Sequence, residues 1–260
     1  PVVGWMGDLD SMQPDDARDF HKAWYVPENA AVVIAGDVDV EKVRQLAEKY
    51  YGSVPARAVP ERKPQTEPKQ LGVRRIEVKQ PAEQAFIAMA YRTPTLKRVD
   101  KLQAEDKDAL ALLVLSAVLD GYDGARLERA LVQGEGQANG RVADSAGSSA
   151  NIMGRGPSLF MLTGVPAQGK TVADVEAALR AQIKKVADEG VQADELERVK
   201  TQWMASNVYE RDSVMGQAQN LGNYWIQNMP LDAEDKLLAE LRKLGKEVNT
   251  VRKHLATLSR

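Results

Sequence analysis

Ala17, Phe20 and Trp24 recur at helical spacing behind Pro14-Asp15-Asp16, a proline and two acids suited to the first turn of a helix. The spacing predicts a helix that buries those three side chains and ends at Pro27. Ala30 to Ala35 (Ala-Ala-Val-Val-Ile-Ala) is a short continuous apolar run, the pattern of a strand covered on both faces. Gly36-Asp37 then turns the chain, and Val40, Val43, Leu46, Ala47 and Tyr50 return to the helical period. Three such elements cannot cover a two-faced strand. They are expected to complete a sheet whose other strands lie before Pro1 or elsewhere in the chain.

Pro55, Pro60, Pro64 and Pro68, interleaved with Arg, Lys, Glu and Gln, mark a semi-rigid extended linker over 56–72. Beyond it Val73 to Lys79 alternates like a strand, and Ala85 to Tyr91 reads as a second, more buried one closed by Pro94. A helix is predicted across Ala104 to Leu119, with Leu110, Leu113, Val114, Ala117 and Val118 on a wide apolar face. A shorter helix follows from Ala125 to Val132. Gly134 to Gly156 is rich in Gly, Ala, Ser and Asn, which suits strands with bulges or a mobile loop. Ser158 to Val165 is a clearer strand. Thr171 caps a helix carrying Val172, Val175, Leu179, Ile183 and Val186, Gly190 stops it, and Asp194 opens another in which Leu196, Val199 and Trp203 share a face. The remainder to His254 reads as helical. The fold class expected is α+β: the tail of a first α/β domain over 1–55, the linker, and a second domain over 73–260 with a mainly antiparallel sheet packed by helices.

Composition adds exclusions. Hydrophobic residues make up 43% of the chain and charged ones 28%, enough for a core, but only 5% are aromatic, so aliphatic side chains must fill it. Thirty-five basic against 37 acidic residues leave a net charge of −2, which gives no general pull toward nucleic acid or anionic lipid. The absence of cysteine removes disulfides, thiolate metal sites and cysteine nucleophiles together. The longest nearly apolar stretch, Ala109 to Leu119, is about half the roughly 20 residues a membrane helix needs, so no transmembrane segment is expected. The opening Pro1-Val2-Val3-Gly4-Trp5 lacks Met and any signal-peptide pattern, which predicts a fragment or a processed chain.

Candidate chemistry is sparse. The two histidines, His21 and His254, lie far apart and neither has a ligating partner one helical turn away, so both are read as structural or surface residues. Asp120-Gly121-Tyr122-Asp123-Gly124 joins two predicted helices and is acidic, which favours a turn over a phosphate cradle. Ser145, Ser148 and Ser149 have no nearby histidine and read as loop polarity. The acids Asp194, Glu195 and Glu197, beside Arg198 and Lys200, read as a solvated helix face. No catalytic constellation is complete, and the residues by themselves describe a binding or assembly domain.

Several segments nevertheless resemble the pitrilysin/insulinase-type zinc metallopeptidases, the family that includes the mitochondrial processing peptidase. Phe20-His21-Lys22-Ala23-Trp24-Tyr25-Val26-Pro27-Glu28-Asn29-Ala30, followed by Val32-Val33-Ile34-Ala35-Gly36-Asp37-Val38-Asp39, is similar to the end of that family's first domain. Pro1 to Met6 with Asp8-Leu9 looks like the stretch that follows the active site in bacterial members. Pro81-Ala82-Glu83-Gln84-Ala85, Ala125-Arg126-Leu127, Arg155-Gly156-Pro157-Ser158-Leu159-Phe160 and Asp194-Glu195-Leu196-Glu197-Arg198-Val199-Lys200 resemble second-domain signatures in the expected order.

The resemblance implies two related domains and a zinc site of the inverted His-x-x-Glu-His type, which is absent from this sequence. No metal or catalytic residue is therefore expected here, and the cofactor, zinc, belongs to a full-length parent. The family's Arg and Tyr that help hold substrate fall on Val132 and Asn139, so both are replaced. The implied parent is a zinc metalloendopeptidase, with this chain inactive alone and forming a chamber wall and dimer interface. The alternative is a noncatalytic peptide-binding or assembly subunit. Expected partners are a peptide or protein substrate and another family subunit, in a homo- or heterodimer, and the resemblance implies a periplasmic location.

Overall fold

The computed structural model describes residues 3–63, 68, 70–136 and 140–244. It divides into two compact units, Pro1–Val78 and Lys79–Arg260.

The first unit carries three helices, α1 (Met6–Ser11), α2 (Pro14–Trp24) and α3 (Val40–Tyr51), and a 3-10 turn at Pro27–Asn29. The Asp16 carboxylate accepts the Gln13 N–H at 2.8 Å to start α2, and Asp39 Oδ1 accepts the Glu41 and Lys42 N–H groups at 2.9 and 3.1 Å to start α3. The head of the Pro-rich segment is tied to the corner after α2: Glu28 accepts the Arg57 N–H at 3.0 Å, and the Arg62 guanidinium lies 5.4 Å from the Trp24 ring centre.

Three expectations fail here. Ala30 to Ala35 joins no ladder among the described residues, and Val32 and Ile34 are 63% and 52% exposed. A strand exists only where a neighbour accepts its N–H groups, and the apolar run specifies the strand without supplying that neighbour. The stripe predicted to bury on α2 is likewise uncovered: no residue of that helix is buried, and Phe20 is exposed. Val73 to Lys79, also read as a strand, forms no ladder among the described residues.

The second unit is an antiparallel sheet with helices. The expected strands at 85–91 and 158–165 appear as β1 (Ile87–Thr93) and β3 (Ser158–Pro166), and the small-residue tract supplies β2 (Ala143–Ala150). The order is β1-β3-β2, both pairings antiparallel, with Tyr91 opposite Phe160 and Ser148 opposite Leu162. A register shift between Ala143 and Ser145 is the bulge that so many small residues allow. The helices are α4 (Ala104–Asp120), α5 (Val172–Glu189), α6 (Ala193–Glu210), α7 (Val214–Ile226) and α8 (Ala233–Lys243). Thr171 caps α5 reciprocally with Asp174, and Gly190 ends it at φ 81°, a left-handed conformation glycine adopts without strain. The helical stretch expected beyond α8, with His254, lies outside the described residues.

α4 is apolar almost all round, and each side fills a different core. Leu112, Leu115 and Leu119 meet Phe160 and Leu162 of β3 and Val175, Leu179 and Ile183 of α5. Leu110, Val114, Ala117 and Val118, the face predicted from the sequence, meet Leu196 and Val199 of α6, Tyr224 of α7 and Leu241 of α8. Asp106 pins the start of α4 to the preceding loop: its carboxylate accepts N–H groups of Lys97 at 2.8 Å and Gln103 at 3.0 Å while only 2% exposed.

At the sheet–α5 contact there is no spare volume. A methyl group at Gly164 would sit 2.6 Å from Val175 Cγ1. Gly164→Ala is therefore expected to lower the unfolding free energy by about 1–3 kcal/mol through overpacking. Urea unfolding followed by far-UV circular dichroism checks it, and an unchanged midpoint would contradict the packing described.

Candidate functional site

The functional candidates gather where α4 ends. Gly121 caps the helix, 121–125 turn the chain, and a π-helical turn at Glu128–Val132 leads toward β2. As the acidic side chains imply, Asp120 to Gly124 is a turn between helical segments. It lines a cavity of about 420 Å³ with Glu128 and Gln133.

Two signatures far apart in sequence meet beside this turn. Arg126 Nε donates to Glu195 Oε1 at 2.8 Å and Nη2 to Oε2 at 2.5 Å, and Nη2 also reaches the Gly190 carbonyl at 3.3 Å. Glu195 in turn accepts the Gln192 N–H at 3.1 Å at the start of α6. Both side chains are 10% exposed. Burial opposes ionisation of Glu195, but the Arg126 guanidinium, the Gln192 N–H and the charge of Arg129 outweigh it, and its pKa stands below the usual carboxylate range. The same hydrogen bonds raise Arg126. Glu195 thus corrects the solvated-face reading of α6. A local charge pattern shows alternating signs there, whereas the partner lies 69 residues away.

The Arg155 signature is also structural. Its Nε and Nη2 donate to the Ile226 carbonyl at 3.1 and 2.9 Å, which satisfies a free carbonyl at the end of α7. Ser148 is a bonded strand residue: its Oγ donates to the Ser116 carbonyl at 2.9 Å, and its N–H donates to Asp120 Oδ2 at 3.1 Å. Tyr224, pushed up to about 12 by burial and then by Glu234, Glu210 and Asp235, holds its proton at neutral pH and offers no base.

Val132 closes the π-helical turn, half-buried, and Asn139 lies outside the described residues. His21 is exposed on α2 and stacks on Tyr25 at 4.6 Å. Among the described residues no three His, Cys, Asp or Glu side chains are grouped to hold a metal ion. The described residues therefore offer no donor set that fits zinc. No helix among the described residues is long and apolar enough to cross a membrane.

The sequence profile described as the peptidase M16 inactive domain matches residues 11–203. The chain belongs to that family. It is 26% identical over 230 residues to the zinc protease PqqE of Helicobacter pylori, covering 87% of this chain and 48% of that protein. The chain therefore spans about half the length of that relative. The crystal structure of a protease from Helicobacter pylori shares the fold at a TM-score of 0.84 and 24% identity, over 97% of this chain and 58% of that one. The first half of the periplasmic protease PqqL from Escherichia coli shares it at a TM-score of 0.67 and 18% identity, over 98% and 55%. In this M16 inactive domain the signatures at Arg126, Arg155 and Glu195 act as internal clamps.

Removing one partner of the Arg126–Glu195 pair leaves the other charge buried, so Arg126→Ala is expected to cost about 3–5 kcal/mol. Because the folded pKa of Glu195 lies below its unfolded value of about 4.3, its contribution is complete above that pH and is lost as pH falls through the folded pKa. Glu195→Gln should flatten the acid limb of stability against pH. Urea titrations between neutral and strongly acidic pH measure both effects, and an unchanged acid slope would remove the pair from this role.

Proposed function

We propose that this chain is the C-terminal, noncatalytic portion of a zinc metalloendopeptidase. Residues 1–55 form the end of the first peptidase-like domain, 56–72 the linker, and 73–260 the second, zinc-free domain. The match to the M16 inactive domain across residues 11–203 carries this reading. The zinc site lies in the part of the whole protein N-terminal to these residues, and this portion supplies a wall of the peptide-holding chamber and part of a dimer interface. The uncovered apolar run at Ala30 to Ala35 supports the division, since a strand of that composition belongs inside a sheet. Likeness to a periplasmic protease supports a periplasmic location.

Mixing tests the reading. The chain and a separately produced zinc-bearing N-terminal portion should each leave a quenched fluorescent peptide intact and together cleave it. Zinc-dependent cleavage by this chain alone, or one equivalent of tightly bound zinc in it, would overturn the assignment. Failure of the mixture to cleave, with an N-terminal portion that lacks His-x-x-Glu-His, would favour the alternative of a noncatalytic peptide-binding or assembly subunit.

Val132 and Asn139 stand at the positions of the family's substrate-holding Arg and Tyr, so the fully active form draws that pair from a partner subunit, and the homomer keeps only a low rate. Restoring it with Val132→Arg and Asn139→Tyr in the full-length protein should raise homomer turnover by about tenfold or more. Full activity of the unmodified homomer would refute the need for a partner.

A further inference from the structure

Asp is followed by Gly at two places in the chain, Asp120-Gly121 and Asp123-Gly124, and both fall in the turn after α4. An Asp-Gly link can react with itself, because glycine has no side chain to shield its backbone nitrogen from the neighbouring carboxyl carbon. Attack needs that nitrogen free and the peptide unit able to rotate. The two links differ in both respects.

Gly121 closes the last turn of α4, and its N–H donates to the Ala117 carbonyl at 2.7 Å. The Asp120 carboxylate is held as well, by the Ser148 N–H at 3.1 Å. Attack there has to break both hydrogen bonds. Asp123 and Gly124 are instead the central pair of a β-turn whose closing bond runs from the Ala125 N–H to the Tyr122 carbonyl at 2.9 Å. The peptide between the two central residues takes no part in that bond, and among the described residues the Gly124 N–H has no backbone acceptor. Gly124 stands at φ 78°, and a methyl group on it would meet nothing within 4 Å, so the peptide has room to rotate. The Asp123 side chain is exposed, which gives water access to it.

We propose that Asp123-Gly124 is a self-modification site at which the chain converts aspartate to isoaspartate. The Gly124 nitrogen attacks Cγ of the protonated Asp123 carboxyl. The N–Cγ bond forms, the Cγ–OH bond breaks, and the hydroxyl leaves with the amide proton as water. Water then opens the succinimide ring. Opening at Cγ restores aspartate, whereas opening at the main-chain carbonyl carbon leaves that carbon as a free carboxylate and routes the backbone through Cβ and Cγ. The sequence of steps is redox-neutral, consumes the water it releases, and leaves mass and net charge unchanged. Its product carries an extra backbone methylene directly ahead of Ala125, which is fully buried, and of Arg126, so it lengthens the turn that presents the guanidinium to Glu195. The modification thus loosens the clamp without altering either of its side chains.

The test ages the purified whole chain in neutral buffer, digests it with trypsin, and fragments the peptide from Asp108 to Arg126 by electron transfer, which tells isoaspartate from aspartate at each position. Isoaspartate should accumulate at Asp123 about tenfold or more faster than at Asp120, where two hydrogen bonds must first be given up. In urea, with the fold removed, the two links should react at similar rates. Asp123→Glu keeps the charge but enlarges the ring that has to close, and should remove the signal at that position. The aged chain should unfold at lower urea than the fresh one, and the aged Asp123→Glu chain should show a smaller loss. Deamidation at Asn139-Gly140 raises the mass and falls on a different tryptic peptide, so it is read separately. Conversion at Asp123 no faster than at Asp120 in the folded chain, or none at Asp123 while the urea-treated chain converts, would overturn the site. A converted chain that loses no more stability than the aged Asp123→Glu chain would overturn the effect on the clamp.

Discussion

α4 has to be buried on both sides, and the second unit is arranged to do that. A 17-residue helix with Leu, Val and Ala around nearly its whole circumference cannot lie on a surface, because each exposed aliphatic side chain forgoes about 1.5–3 kcal/mol of burial. The sheet and α5 cover one face, and α6, α7 and α8 cover the other. Two cores with few aromatic residues follow from this, divided by a helix that belongs to both. The low aromatic content demanded aliphatic filling, and Phe160 is the one aromatic among the largest fully buried side chains.

Polar contacts then fix what non-directional burial leaves free. Apolar contact alone would let α6 slide or rotate against the turn after α4. The two parallel hydrogen bonds between Arg126 and Glu195, with the Gln192 N–H and the Gly190 carbonyl beside them, fix that register. Arg155 on the Ile226 carbonyl does the same between the β2–β3 connection and α7, and Asp106 between the loop at Lys97 and α4. Such pairs contribute little net stability when intact but cost much when broken, which makes them determinants of geometry more than of total stability.

The first unit shows the opposite situation. α2 and α3 are capped and amphipathic, the Pro-rich tail is tied to Glu28 and Trp24, and Val26 is buried, yet apolar residues from Phe20 to Tyr50 stay exposed. Helices of 11 and 12 residues are set by local caps and spacing. A sheet is not local, so the strand-like run at Ala30 to Ala35 stays without a ladder among the described residues.

The sequence by itself determined α4, α5 and the start of α6 within a few residues, through their period, through Thr171 and Gly190, and through the turn at Asp120 to Gly124, while the division of the later helical stretch into α7 and α8 was not read from it. It also determined the α+β class and, by the order of short signatures, the family. Each of these depends on residues within a few turns of one another. Tertiary structure alone decided that Glu195 is a buried partner of Arg126, that Ser148 belongs to an edge strand held by Asp120, and that both faces of α4 are core. These are contacts between segments distant in the chain, and no pattern of neighbouring residues records which distant group will satisfy a charge, an amide or an apolar face.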